Sequence, residues 1–137
     1  MSTVKVPEYV RALEVYEESG ILYTDFTDGG AAAGTYTCKF ELPVNFFAER
    51  CILTDVTGFA NDTTAVITVG DGSDVDRLNT GTPSVLSTVT ILDLGVPSGT
   101  RAVTTAYKPV LTVTGASDFT SINAGQLTIQ VWGYMVR

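Results

Sequence analysis

Two stretches of the sequence alternate apolar and polar side chains, and this alternation constrains the fold more than any other feature. In residues 35–42, TYTCKFEL, every second side chain from Tyr36 to Leu42 is apolar or aromatic. Residues 126–136, QLTIQVWGYMV, repeat the pattern with Leu127, Ile129 and Val131 on one face. Because successive side chains of a β-strand point to opposite faces, a period of two is typical of strands that bury one face.

Similar β-branched runs recur along the chain and are separated by turn residues. They include TAVITVG at residues 64–70 and VLSTVTILDL at residues 85–94. Thr and Val supply 38 of the 137 residues, and there are 13 glycines. This composition favours short strands joined by turns, with about seven or eight strands at regular spacing. We therefore predict an all-β fold, an antiparallel β-sandwich or jelly roll.

The segment before residue 35 is less regular, and we expect it to form an extended arm. DGGAAAG at residues 28–34 has little to bury and predicts a connector. Before it, VPEYVRALEVYEES could open a helix at Pro7, or form a hairpin about Ser19 and Gly20; extended structure is favoured. VNFFAER, after Pro43, predicts a corner between two strands. The predicted division is an N-terminal arm and connector at residues 1–34 and a β-sandwich domain at residues 35–137.

Charge and residue types exclude several functions. The net charge is −7, and the eight basic residues are scattered, so no stripe is available to neutralise nucleic-acid phosphates. There is no histidine, which removes Ser-His-Asp triads, Cys-His dyads and imidazole metal ligands. The sequence shows no signal-peptide core and no run long enough to cross a membrane. We expect a protein made in the cytosol that binds no membrane and no cofactor and is not an enzyme.

Cys38 and Cys51 are the only cysteines, and they lack the paired spacing of a zinc site. In a protein made in the cytosol both stay reduced. Free, buried thiols are therefore the prediction.

The acidic stretch GDGSDVDR at residues 70–77 allows three interpretations. Asp71, Asp74 and Asp76 could offer oxygens to calcium, but the glycine and terminal glutamate positions of an EF-hand loop are not matched. A phosphate loop would need a following Lys-Ser or Lys-Thr pair, which is absent. We favour a solvated loop whose aspartates cap its own turns, and predict no metal site.

Four aromatic residues are the candidate interaction residues. Trp132 and Tyr134 lie on the otherwise polar face of the last alternating stretch, which suggests a partner surface. The alternative is that a loop or the N-terminal arm covers them. Phe46 and Phe47 are adjacent, so one of them must point away from the local core if the segment is extended. We predict an oligomer or capsid interface that includes all four.

The order of these segments resembles small structural proteins of tailed bacteriophages. The resemblance lies in ELPVNFFAERCILTDVTGFANDTTAVITVGDGSDVDRLNTG at residues 41–81 and TVTGASDFTSINAGQLTIQVWGYMV at residues 112–136. Shared features are a corner after a Leu-Pro pair, a TAV strand, a GDG loop followed by Asp-Arg, and a final aromatic-bearing strand. The sequence departs from that pattern at residues 44–47, where small residues usually follow the proline, and in its longer acidic N-terminus.

The resemblance implies a β-sandwich or jelly-roll head decoration (cement) protein. Such proteins are commonly homotrimers that bind the major capsid protein at capsomer junctions, on the outer capsid surface of the virion. It also implies that the acidic loop connects two core strands. Two other classes of function stay open. One is a phage tail or fibre module that binds a host-surface glycan through Trp132 and Tyr134, and the other, with much less support from the sequence, is an enzyme.

Overall fold

A computed structural model describes residues 12–136 of the chain as two packed antiparallel β-sheets, which confirms the predicted all-β sandwich. Within these residues no helix is long and apolar enough to cross a membrane. The eight strands are β1 (Glu14–Leu22), β2 (Thr27–Asp28), β3 (Ala33–Thr37), β4 (Phe46–Thr57), β5 (Ala65–Gly70), β6 (Val89–Asp93), β7 (Val110–Gly115) and β8 (Gln126–Met135). Short 3-10 turns occupy Tyr23–Asp25 and Phe119–Ser121.

Each sheet contains four strands. Sheet A has the order β1-β8-β4-β6, and sheet B has the order β2-β3-β7-β5. Every pairing is antiparallel. β8 lies between β1 and β4, so the last strand in the described chain is central in sheet A.

The apolar side chains that face each other across the two sheets form one core. In β8, Leu127, Ile129 and Val131 are completely buried, as the alternation predicts. Sheet B contributes Ile67 and Leu111 from its own strands. Burial of side chains of this size stabilises the fold by about 1.5–3 kcal/mol each.

The first alternating stretch forms a shorter strand than its pattern indicates. β3 ends at Thr37, and the backbone N–H of Cys38 then donates to the carbonyl of Pro109. Cys38 and Leu42 are nevertheless buried, so the pattern identified the inward side chains correctly. Cys38 and Cys51 are both free and buried, which confirms the prediction for the two thiols.

The corner predicted at VNFFAER was wrong, because most of this segment belongs to β4. The reversal is confined to residues 43–45, where Asn45 adopts a φ of 74°. β4 then runs without interruption to Thr57, with a register shift between Ala48 and Arg50 that leaves Glu49 in a bulge. A bulge bends a strand without ending it.

The segment before residue 35 differs from the predicted arm. β1 pairs with β8 along its length, and β2 pairs with β3. Ser19 and Gly20 form a bulge inside β1 and not a hairpin, since the register shifts between Glu18 and Ile21. Ile21 and Phe26 are buried in the core, which is why residues 14–28 are part of the sandwich. The alternative of a helix that opens at Pro7 falls partly outside the described residues, and the rest of that segment, from Glu14, belongs to β1.

Candidate interaction surface

The outer face of sheet A is the surface that carries the predicted interaction residues. Strand alternation sends the inner side chains of β8 and β4 into the core and leaves the others pointing away from sheet B. We call this surface the outer face. Its members are Leu13, Val15, Glu17, Phe47, Arg50, Ile52, Ile91, Asp93, Gln130, Trp132 and Tyr134.

Three of the eight exposed large hydrophobic residues of the described chain lie on the outer face. Leu13, Val15 and Ile91 are exposed, and Ile91 retains 66 % of its accessible surface. Between β1 and β6 lies a shallow groove of about 380 Å³. The groove is lined by Leu13, Glu49, Arg50, Ile52, Asp93 and Trp132. Exposed apolar side chains interspersed with polar groups are typical of protein interaction sites.

The polar groups of the outer face already bind one another. Arg50 Nη1 lies 2.6 Å from Asp93 Oδ2. Trp132 Nε1 donates to Gln130 Oε1 at 3.0 Å, and Gln130 Nε2 donates to Glu17 Oε2 at 2.6 Å. A polar group that keeps its hydrogen bond costs less to cover than one that loses a bond to water. A partner that covers this face can therefore leave these hydrogen bonds intact.

Phe47 and Tyr134 form a stacked pair on the outer face. Their ring centroids are 5.5 Å apart with an interplanar angle of 28°. Arg101 lies over Phe47, with its Cζ 4.8 Å from the ring centroid, and also pairs with Glu49 at 2.7 Å. The stack and the cation hold these two aromatics in one orientation, which lowers the entropy lost when a partner covers them.

Phe46 is excluded from the surface, contrary to the prediction that it belongs to an interface. Its side chain is completely buried and packs edge-on against Tyr16 with centroids 5.2 Å apart. Phe46 and Phe47 are successive residues of β4, so they point to opposite faces of sheet A. Three of the four predicted residues, Phe47, Trp132 and Tyr134, therefore lie together on the outer face.

Sequence reasoning missed the aliphatic part of this surface. Val15 and Ile91 come from strands at opposite edges of sheet A, 76 positions apart in the numbering of the chain. A signal was present in VLSTVTILDL, where Ile91 and Leu92 are adjacent and must face opposite sides of a strand. Only the pairing of β6 with β4 shows that Ile91 is the outward residue.

The acidic loop is organised around Arg77. Asp71 Oδ1 accepts from the backbone N–H groups of Ser73 and Asp74, at 2.8 and 2.7 Å, and its Oδ2 accepts from Arg77 Nη1 at 2.9 Å. The hydrogen bond from the Asp74 N–H is the main cause that lowers the pKa of Asp71 below its ordinary value. Both carboxylate oxygens of Asp71 are therefore engaged in closing the loop.

Arg77 also ties this loop to its neighbours. Its Nε donates to the carbonyl of Thr100 at 2.8 Å and its Nη2 to that of Ala102 at 2.9 Å, while its Cζ lies 4.4 Å from the centre of the Tyr107 ring. Between residues 12 and 136, no group of three or more Cys, Asp or Glu side chains is placed to hold a metal ion. The geometry is that of a structural connector.

The two thiols are placed as core side chains. Burial is the main cause that raises the pKa of Cys38 to about 12 and that also raises the pKa of Cys51. A thiol is nucleophilic and binds metals as the thiolate, which these pKa values disfavour at neutral pH.

Comparison with solved structures finds the same fold in a phage particle. The chain superimposes with a TM-score of 0.66 on a chain of the structure described as the cyanophage Pam1 capsid asymmetric unit. The two sequences are 17 % identical, and the match covers 99 % of this chain and 94 % of that chain. No protein-family model and no curated protein matches the sequence. At this identity the likeness establishes a shared fold over the full length of both chains.

Proposed function

We propose that the protein is a structural protein of a tailed-bacteriophage head. The observation that carries this proposal is the match to a chain of the Pam1 capsid, which covers 99 % of this chain and 94 % of that chain. The pattern of motifs that resembles phage structural proteins supports it independently. A role without catalysis fits the absence of histidine and the buried, protonated thiols.

Within the head, we propose the role of a decoration protein that binds the major capsid protein at capsomer junctions on the outer surface. A sandwich of this size with an exposed apolar surface suits attachment to an assembled shell. A protein that binds only the assembled state stabilises that state by mass action. Heads carrying the protein are then expected to resist heat better than bare heads.

We further propose that the protein is a homotrimer whose subunits meet through the outer face. Exposed Val15 and Ile91, beside polar groups that bind one another, support association through this face. The number of three subunits is what the resemblance to phage decoration proteins implies. Closed cyclic symmetry buries the same surface on every subunit and leaves none of it open to further association.

The oligomer is tested by light scattering and analytical ultracentrifugation of the purified protein. The wild type is expected to sediment as a trimer at micromolar concentration. Ile91→Glu places a charge on the outer face and is expected to shift the equilibrium to monomer. Val75→Glu is the matched control, because Val75 is 58 % exposed against 66 % for Ile91 and lies in the acidic loop. A wild type that stays monomeric on concentration contradicts the trimer.

The head assignment is tested with undecorated heads from a phage strain that lacks the gene. Purified protein is mixed with these heads, and bound protein is measured after sedimentation. Saturable binding that raises the temperature of capsid disruption supports the proposal. Protein that ignores heads and co-purifies with tails contradicts it.

The groove beside Trp132 favours a second candidate function, a tail or fibre module that binds a host-surface glycan. Sugar rings stack on aromatic side chains, and Glu49, Arg50 and Asp93 could bind hydroxyl groups beside them. Binding of host polysaccharide that is lost in Trp132→Ala, together with no binding to heads, would favour this function over decoration.

A further inference from the structure

We infer that the protein attaches to the capsid shell by one end of the sandwich, the end formed by residues 38–45, 71–80, 94–109 and 136. We call this the valine end. The inference rests on the proposed decoration function and identifies the surface that performs it. It is independent of the outer face, which lies on the side of the sandwich.

The strand directions divide the loops between two ends. Residues 38–45 and 94–109 lie at the end where β4 and β7 begin, together with residues 71–80, the first part of the connection from β5 to β6. Residues 23–32, 58–64 and 116–125 lie at the opposite end, where β4 and β7 finish. We call this opposite end the aspartate end.

Exposed apolar side chains favour the valine end. Four of the eight exposed large hydrophobic residues of the described chain lie there, against one, Leu22, beside the aspartate end. The four are Val44, Val75, Val96 and Val136. Their exposure leaves apolar surface that a partner would remove from water, with a gain of about 25 cal/mol per Å².

The formal charge of the loops also differs between the two ends, and the difference again favours the valine end as the one that binds. The loops of the valine end contain four basic and four acidic residues, so their formal charge is zero. The loops of the aspartate end contain Asp25, Asp28, Asp62 and Asp118 and no basic residue. Asp62 and Asp118 accept backbone hydrogen bonds, which lower their pKa and keep them ionised. The loops of the aspartate end therefore carry a formal charge of −4, against −7 for the whole chain, and such an end favours water over an apolar contact.

The valine end is also held in a fixed shape. The N–H of Val136 donates to the carbonyl of Asn45 at 2.8 Å, and the N–H of Asn45 donates to that of Val103 at 2.9 Å. Arg77 joins the acidic loop to the segment that contains Thr100 and Ala102. Loops that are already ordered lose little conformational entropy on binding.

The apolar surface and the charge distinguish the two ends, and together with the ordered loops they indicate which partner the valine end can bind. A neutral end with ordered valines suits a protein surface that is apolar and carries no strong positive charge. In the proposed function that surface belongs to the major capsid protein of the assembled shell. The aspartate end then points away from the head into solvent.

Binding to undecorated heads tests this orientation with a matched pair of variants. Val44→Glu alters the valine end and Leu22→Glu alters the other end, and the two wild-type side chains are 45 % and 42 % exposed. We expect the Kd for heads to rise at least about tenfold for Val44→Glu and to stay within about twofold for Leu22→Glu. Thermal unfolding and sedimentation of both variants confirm that each keeps its fold and oligomeric state.

The outcomes distinguish a failure of the proposed orientation from a failure of the proposed decoration function. If the wild type binds heads and the two variants bind alike, or Leu22→Glu binds more weakly, the orientation is wrong and decoration stands. If the wild type does not bind heads at all, decoration fails and the orientation fails with it. As a second measurement, a folded tag inserted between Gly29 and Gly30 is expected to leave binding unchanged and to appear as density outside the head. A tag that blocks binding overturns the inference.

Discussion

Replacing Phe46 by alanine tests the assignment of this residue to the core. The ring is completely buried and contacts Tyr16 edge-on, so truncation leaves a cavity between the sheets. Phe→Ala changes at such sites cost about 3–5 kcal/mol. An unfolding entropy of about 2.1 cal/mol/K per residue gives roughly 0.29 kcal/mol/K for a chain of 137 residues. We therefore expect Tm to fall by about 10–17 °C.

Phe47→Ala is the matched control, because it removes the same side chain from the opposite face of β4. The losses there are the stack on Tyr134 and the contact with Arg101, together about 1–2 kcal/mol. Differential scanning calorimetry and urea unfolding of the two variants measure the difference. A fall in Tm that is equal for both, or one below about 3 °C for Phe46→Ala, would refute the placement of Phe46 in the core.

Three further predictions concern titration, metal binding and thiol access. Hydrogen bonds, first of all from the N–H of Ser117, lower the pKa of Asp62 below its ordinary value of 3.8. The ionised Asp62 therefore stabilises the fold above pH 3.8, and this contribution is lost as the pH falls through the lower pKa of the folded state. The difference in Tm between wild type and Asp62→Asn should then be constant above about pH 5 and shrink on further acidification, and a difference that grows towards low pH would contradict this. Because both oxygens of Asp71 are engaged, adding calcium or chelator should leave Tm unchanged, and a calcium-dependent rise of several degrees would establish a metal site. Cys38 and Cys51 should react with a thiol reagent at neutral pH only as fast as the protein opens, and rapid labelling of the native protein would show that a thiol is accessible.

The sequence predicted the structure best where the pattern within one strand is enough to identify its buried side chains. In β8 the alternation identified Leu127, Ile129 and Val131 as core residues, because strand geometry alone determines which side chains share a face. The acidic loop could also be interpreted from the sequence, because Asp71 binds backbone N–H groups within the same loop, those of Ser73 and Asp74. Both features depend on residues that are close together in the chain.

Features that depend on distant residues could not be predicted. β1 is stabilised by pairing with β8, more than 100 residues away, and its own sequence was compatible with a helix, a hairpin or a strand. For Phe46 and Phe47 the sequence required opposite faces, but the choice between them depends on the bulge at Glu49 and the pairing with β8. The aliphatic part of the outer face required the order of strands in sheet A, which no local pattern contains.

The central position of β8 has a consequence for synthesis of the protein on the ribosome. β1 and β4 are made early, but both form their main pairing with β8, the last of the eight strands to leave the exit tunnel. Until then β1 has no partner in sheet A and β4 can pair only with β6, so the nascent chain exposes apolar segments of sheet A such as that around Ile21. Sheet A can therefore be completed only after β8 has left the tunnel, and nascent chains that stop before residue 126 are candidates for chaperone binding and degradation.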